Sequence, residues 1–445
     1  MLRFKLFNGS TGWVPGVLCA VIGVACGAGS PDGMFEPGGG GGGGAGADGG
    51  GAGEDGGPGI DPDVIGGGES SIVSGVPQIS GRVMAPNGAF PISGALVYLS
   101  ASFPEEIPTG TYHYECDDMT GTHYAISEPD GTWTIKDAPV GNWHLVTRKG
   151  NFRRIRDLKI EKDMDTAVAW DLTTLPRGRT SDGLDVVPSF AVVKTTPDVT
   201  YNLLARFGMG DVNGAGALIL GSETFDIYEE SKMSSYPYTG VLFDQDRLSN
   251  YHMIFLPCNS SAVGIPFVNN NVPKLQEYVS KGGRIYNSCT SSLWTKAPFP
   301  EYINYTGSNA PTKFDIGRVS PNAYATNGQV LDDGLAKWLP IVSSADPSYV
   351  QFSNGFVKIE NTVDVPDGHG LKADDYIVKP YTWVRDVKTY PDKPLMVTYP
   401  YDLGKVFYSV YETSSGSATI TPQEFVLLYV ILEVGVCENL PEKIQ

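Results

Sequence analysis

The chain has 445 residues, with 50 Asp and Glu against 32 Lys and Arg for a formal charge of −18. An acidic chain without a basic stripe argues against nucleic acid and anionic membrane surfaces as partners and assigns the charge to solubility. Glycine, 55 residues in all, is crowded near the N-terminus, so the part able to bury a core is shorter than the whole.

Arg3 and Lys5 form a positive n-region, residues 14–25 a brief apolar stretch, and Ala25, Cys26 and Gly27 a small-residue cleavage position, so 1–25 is expected to be an export signal. The apolar stretch is shorter than the ~20 residues a membrane-spanning helix needs. Gly23-Val24-Ala25-Cys26 resembles the bacterial lipobox, with Gly23 where Leu is usual. The resemblance implies lipidation of Cys26, a membrane partner reached through that anchor, and an outer-membrane or cell-surface location, with the periplasm as the alternative. Residues 26–77 carry Gly, Ala, Asp, Glu and Pro and no Lys or Arg. Nothing there offsets the entropy of ordering, so the segment is expected to be a flexible tether with a mean reach on the order of 40 Å.

The remaining ~370 residues exceed one ordinary core, so two domains are expected. Residues 78–172 read as short strands with period-two apolar positions at 79–84, 95–100, 131–135, 143–147 and 155–160. Pro86-Asn87-Gly88, Pro129-Asp130-Gly131 and Pro139-Val140-Gly141 supply the turns. The expected fold is a small antiparallel β-sandwich. "ISGRVMAPNGAFPISGALVYLS" followed by "DGTWTIKDAPVGNWHLVTRKG" resembles the carboxypeptidase regulatory-like family, a transthyretin-like sandwich. That implies an accessory module without catalytic residues, here departing from the family by an insertion at 101–127 that carries Cys116.

Residues 186–440 change to strand-helix alternation. Strands are expected at 190–194, 217–227, 251–257, 284–288, 394–399 and 405–411, and helices at 199–207, 272–279 and 422–434. The alternation predicts a flavodoxin-like α/β domain with a mostly parallel sheet and helices on both faces. "SNYHMIFLPCNSS", a helix and "KGGRIYNSCTSS" resemble the class I glutamine amidotransferase-like fold. In that family a nucleophilic Cys sits on a strand-to-helix elbow flanked by glycines, with a His base. The matching residue is Cys289, but Asn287-Ser288-Cys289-Thr290-Ser291 lacks both glycines, and the only later histidine, His369, lies in a turn-like Asp-Gly-His-Gly. The turn is therefore expected to have lost the elbow, and the domain to be catalytically degenerate. Glu424, near the place of the family's His-Pro-Glu, reads as the third position of a capping box on Thr421.

After the signal and Cys26, four cysteines remain: Cys116, Cys258, Cys289 and Cys437. In an oxidising compartment three pairings are open, with bridges among Cys258, Cys289 and Cys437 or buried free thiols as the candidates. Asp364, Asp367, His369, Asp374 and Asp375 crowd one stretch but read as turn chemistry, so no metal and no cofactor is expected. Tyr236, Tyr238, Trp294, Phe299, Tyr302 and Tyr305 fall near the expected C-terminal sheet edge, where an aromatic rim would hold a glycan or a protein; Trp294, Tyr302 and Tyr305 are its leading candidates.

These features together predict an envelope protein with a binding or structural role, with a hydrolase using Cys289 or a sheet-edge carboxylate, and a glycan binder, as alternatives. Mass spectrometry of membrane-purified protein is expected to find a mature chain that starts at an acylated Cys26. A mature chain starting elsewhere, without lipid, removes the anchor.

Overall fold

The computed structural model describes residues 71–437 except 73–74, 117–118, 231–235, 245–246, 262, 367–375 and 414–416. The signal segment, Cys26, the tether, Asp367, His369, Asp374 and Asp375 lie outside the described residues.

A nine-stranded sheet organises the C-terminal part. Its strands are Phe190–Lys194 (β1), Asp226–Glu229 (β2), Met253–Leu256 (β3), Arg284–Ser288 (β4), Tyr324–Val330 (β5), Val350–Gly355 (β6), Tyr381–Asp386 (β7), Pro394–Tyr401 (β8) and Gly404–Ser409 (β9). They lie in the order β2-β1-β3-β4-β9-β8-β7-β5-β6. The first five pair in parallel. Their order is that of a flavodoxin-like sheet. Every residue of β3 and β4 is buried, as strands covered on both faces must be.

The expected mostly parallel sheet is instead mixed, because β9-β8-β7-β5-β6 pair antiparallel throughout. The cause is local. Tyr401 pairs with Gly404 around Asp402 and Leu403, with Asp402 at φ 50°, and a two-residue link joins only antiparallel strands. The strand expected at 217–227 shrinks to β2, since Asn213 and the residues after it form a side-chain-bonded turn instead.

Two smaller sheets precede this one. One joins Ser71–Ile72, Met164–Ala167, Ile79–Arg82 and Thr132–Ile135; the other joins Tyr124–Ile126, Leu96–Ser100, Gly141–Lys149, Phe152–Ile160 and Asp185–Val186. The second is wholly antiparallel, whereas Ile79–Arg82 runs parallel to Met164–Ala167, so the first is mixed. Ile79, Trp133 and Ile135 from one sheet and Val97, Leu99, Leu145 and Ile160 from the other share a core.

The three longest described helices are Val272–Ser280 (α1), Asp333–Ser343 (α2) and Pro422–Val434 (α3). The core of the early sheets continues into the α/β part, and the reason lies in α3. Its sequence is apolar around the whole circumference, and all but two of its residues are buried. A helix of that kind needs cover on every side. β6 and β9 supply one side. On another, Phe90 packs edge-on to Phe425 at 5.2 Å and also meets Phe207 and Trp338, while Lys149 pairs with Glu433. Burial of one such ring contributes about 1.5–3 kcal/mol. Gly208, at φ 116°, lets the backbone after Phe207 press against Pro86 and Asn87 where a Cβ would collide.

The 101–127 insertion straps the two parts together. Thr111 bonds Ser249 O and Tyr251 O, and Ser189 Oγ donates to Thr109 O. His252 accepts from Ser189 N at Nδ1 and donates from Nε2 to Pro108 O; burial pushes its pKa down to about 4, so it stays neutral. The strap ends in a disulfide, Cys116–Cys437, across 321 residues of sequence. Of the two candidates, the bridge among Cys258, Cys289 and Cys437 is replaced, since Cys437 reaches the insertion just past α3, and the buried free thiols are what Cys258 and Cys289 form.

Among the described residues no helix is long and apolar enough to cross a membrane. Replacing Cys116 by Ser is expected to lower unfolding free energy by about 2–5 kcal/mol in denaturant titrations without reductant. A wild type indifferent to reductant would contradict the strap.

Candidate functional site

The parallel strands end on one edge, and the loops leaving them converge there. Asp198 follows β1, Cys258 follows β3, Cys289 follows β4, and Glu412 and Thr413 follow β9. Open α/β sheets place their ligands at this carboxyl edge, beside the strand where the order reverses.

Asp198 is the hub. Its Oδ1 accepts from Thr200 Oγ1 (2.9 Å), Thr413 Oγ1 (2.7 Å) and Thr413 N (3.3 Å), and its Oδ2 from Ser288 Oγ (2.6 Å) and Cys258 N (3.2 Å). Each hydroxyl is itself anchored where it can be: Ser288 Oγ accepts from Cys258 N, and Thr413 Oγ1 from Val199 N. Burial holds the carboxyl above the ordinary aspartate range, while these donors act in the opposite direction.

Cys289 begins a short turn directly after β4, with φ 49°. The expected loss of the elbow is thus corrected: the left-handed conformation is carried by Cys289 itself, without flanking glycine. A non-glycine residue held there costs about 1–3 kcal/mol and needs firm surroundings. They are present. Tyr408 donates to Cys289 O (2.6 Å), and Asn354 at the end of β6 sets its carbonyl 3.7 Å from the sulfur. Gln423 of α3 clamps that end of β6 by accepting from Ser353 N (2.8 Å), and donates to Glu412 O. The sulfur is consequently sealed, with Cys289 0% exposed.

Glu412 lies behind the same seal at 1% exposure, and its Oε2 has no hydrogen-bond partner among the described residues. Burial first, then the neighbouring Cys258 and Asp198, push its pKa up to about 10, so it is protonated at neutral pH. The Cys258 thiol is held well above its usual range by its contact with Cys289 and by burial. It also meets Thr290 Oγ1 at 3.1 Å. One donor atom from each of Cys258, Cys289 and Glu412 lies within 4.8 Å of the others.

No described imidazole joins this group. His113 turns to Leu403 O, His144 to Asp157, and His252 is pinned at the strap. Glu412 and the Cys258 thiol are held in their neutral forms beside Cys289, whereas nucleophilic catalysis needs a thiolate and a base.

The remaining sequence candidates fall elsewhere. Trp294 (0% exposed), Tyr302 (4%) and Tyr305 (1%) are core residues. Trp294 stacks on Phe243 and bonds Ser260 O, and Tyr302 stacks on Tyr399 at 4.3 Å. The aromatic rim is therefore not formed by them: Tyr302 packs on Tyr399 of β8, Tyr305 on Tyr408 of β9 and Trp294 on Phe243, all inside the core. Phe299 is buried with them. Glu424 completes the capping box with Thr421 and accepts two bonds from buried Arg206. Sequence reasoning missed Asp198 and Glu412, although each is a carboxylate one loop step past a strand end.

No family model and no curated protein matches this chain. Among solved structures, a ThuA-like protein from Parabacteroides merdae is 13% identical over 57% of this chain and 92% of its own, with a TM-score of 0.32. A cytoplasmic protein from Salmonella typhimurium is 13% identical over 56% of this chain and 98% of its own, with a TM-score of 0.31. A β-galactosidase from Bacillus circulans is 10% identical over 56% of this chain, with a TM-score of 0.28, and the match spans 31% of the enzyme's length.

The protonated state of Glu412 gives a pH signature. Between about 4.5, its unfolded value, and about 10 the folded chain holds one more proton than the unfolded chain, so stability falls as pH rises through that window. In Glu412→Gln, urea titrations in chelating buffer are expected to show a slope shallower than wild type by up to about 1.4 kcal/mol per pH unit. Equal slopes would mean that Glu412 is charged in the native state.

Proposed function

We propose that this chain is an exported, lipid-anchored envelope protein with a binding or structural role and without catalysis. In this reading its first folded segment is a carboxypeptidase regulatory-like spacer, and its second is a glutamine amidotransferase-like domain that has lost the chemistry of that lineage. One observation carries the reading: Cys289, the residue at the nucleophile position, is completely buried and faces a second thiol and a carboxyl group. A nucleophile must meet both its substrate and a base. Support also comes from the depth of the joint between the two parts, since the Phe90 plug, the strap and the disulfide suit a brace that transmits position.

The competing reading, a hydrolase using Cys289, draws on the left-handed turn that this residue keeps. A thiol-directed activity probe separates the two. Chelator-treated folded protein is expected to remain unlabelled at Cys289 and to become labelled after denaturation. Rapid labelling of the folded chain, abolished by Cys289→Ser, would establish the hydrolase reading instead.

A further inference from the structure

Two thiols and a carboxylate packed together inside a chain that already carries a disulfide pose a chemical question. Cys116 and Cys437 are bridged, yet Cys258 and Cys289, at the ends of neighbouring parallel strands, are not. Beside them Glu412 meets the Cys258 thiol and still holds one oxygen, Oε2, with no hydrogen-bond partner among the described residues. A buried polar atom left unsatisfied costs about 1–3 kcal/mol, so its persistence points to a partner.

From this juxtaposition we propose that Cys258, Cys289 and Glu412 bind a thiophilic divalent cation, Zn²⁺, in the sealed space at the carboxyl edge of the sheet. The donor set suits the ion: thiolate and carboxylate ligands are taken up at about 2.3 Å and 2.0–2.2 Å. A tetrahedral ion of that size spans donor atoms about 3.5–4 Å apart, and three protein donors leave its fourth corner to a water. The observed donor atoms all lie within 4.8 Å of one another, close to that span. Two thiolates and one carboxylate leave a single excess negative charge on the bound site, equal to that of a three-thiolate, one-histidine zinc centre and below that of a four-thiolate one. The supporting frame is also fixed. Asp198 and Ser288 hold the backbone of Cys258, and Tyr408 holds that of Cys289. Binding exchanges the protons of the three ligands for the ion. It also answers the redox question, because thiolates shared by a cation are withheld from pairing with each other.

The inference goes beyond the functional reading above and does not rest on it, since a bound ion is compatible with either a brace or an enzyme. Its test uses the mature chain refolded with Co²⁺ as a spectroscopic stand-in. One Co²⁺ per chain with a thiolate-to-cobalt charge-transfer band, discharged by Zn²⁺, is the expected result. The band should be lost in Cys258→Ser and Cys289→Ser, and Co²⁺ affinity should fall at least about tenfold in the near-isosteric Glu412→Gln. Because the serine variants can fail to fold, the wild type carries an independent readout: Zn²⁺ should protect Cys258 and Cys289, mapped by mass spectrometry, from alkylation in mild denaturant. A wild type with neither band nor protection overturns the site. So does a native Cys258–Cys289 disulfide, seen as no titratable thiol in denatured, unreduced protein.

Discussion

One buried carboxyl group, Asp198, sets the geometry on which the α/β part depends. Loops leaving three separate strands donate to it, from Cys258 after β3, Ser288 at the end of β4 and Thr413 after β9, while Asp198 itself follows β1. Parallel strands have no hairpins to fix their ends, so the loops beyond them are the free variables of such a sheet. Here a single side chain removes that freedom four strands wide. The arrangement is demanding as well as stabilising, because a polar network this deep is favourable only when its members are satisfied together. The hydroxyls of Ser288 and Thr413 meet that condition by accepting one bond and donating another.

The second constraint is the apolar last helix. Its burial on all sides couples the early sheets to the late one, since neither alone can cover it. The Arg206–Glu424 pair at its first turn is buried too. Removing either partner of such a pair leaves an uncompensated charge worth about 3–5 kcal/mol, which explains why a carboxylate at that position serves architecture. The same helix reaches back to the elbow through Gln423, so the closure over Cys289 is enforced by the core.

Much of this was legible in the sequence, and the reasons for the failures are physical. Period-two strands with Asp-Gly and Pro-x-Gly turns are local signals, and the strands at 96–100, 132–135 and 284–288 and the helix at 422–434 stand where those signals put them. The antiparallel extension was not readable, because β5 and β6 flank a helix much as parallel strands do. Tyr302 was misplaced for the same reason, as a strand of that extension covers it through Tyr399, while Trp294 and Tyr305 are covered by Phe243 and Tyr408, contacts that no local pattern encodes. Cys289 taught a different lesson. Glycine is the residue that takes positive φ without cost, but a sufficiently packed turn imposes it on a cysteine. The pairing of Cys116 with Cys437 depends on where an insertion lands in three dimensions, which spacing does not encode.

The 321-residue span of that bridge has a consequence for how the protein matures. A chain emerging from its N-terminus presents Cys116 well before Cys437, which follows α3. The early thiol has no native partner until Cys437 follows, after both Cys258 and Cys289 have appeared. Closure of the ring is thus a record of completion: molecules cut short before position 437 carry an orphan sulfur at the strap, visible to any quality-control system that senses exposed thiols.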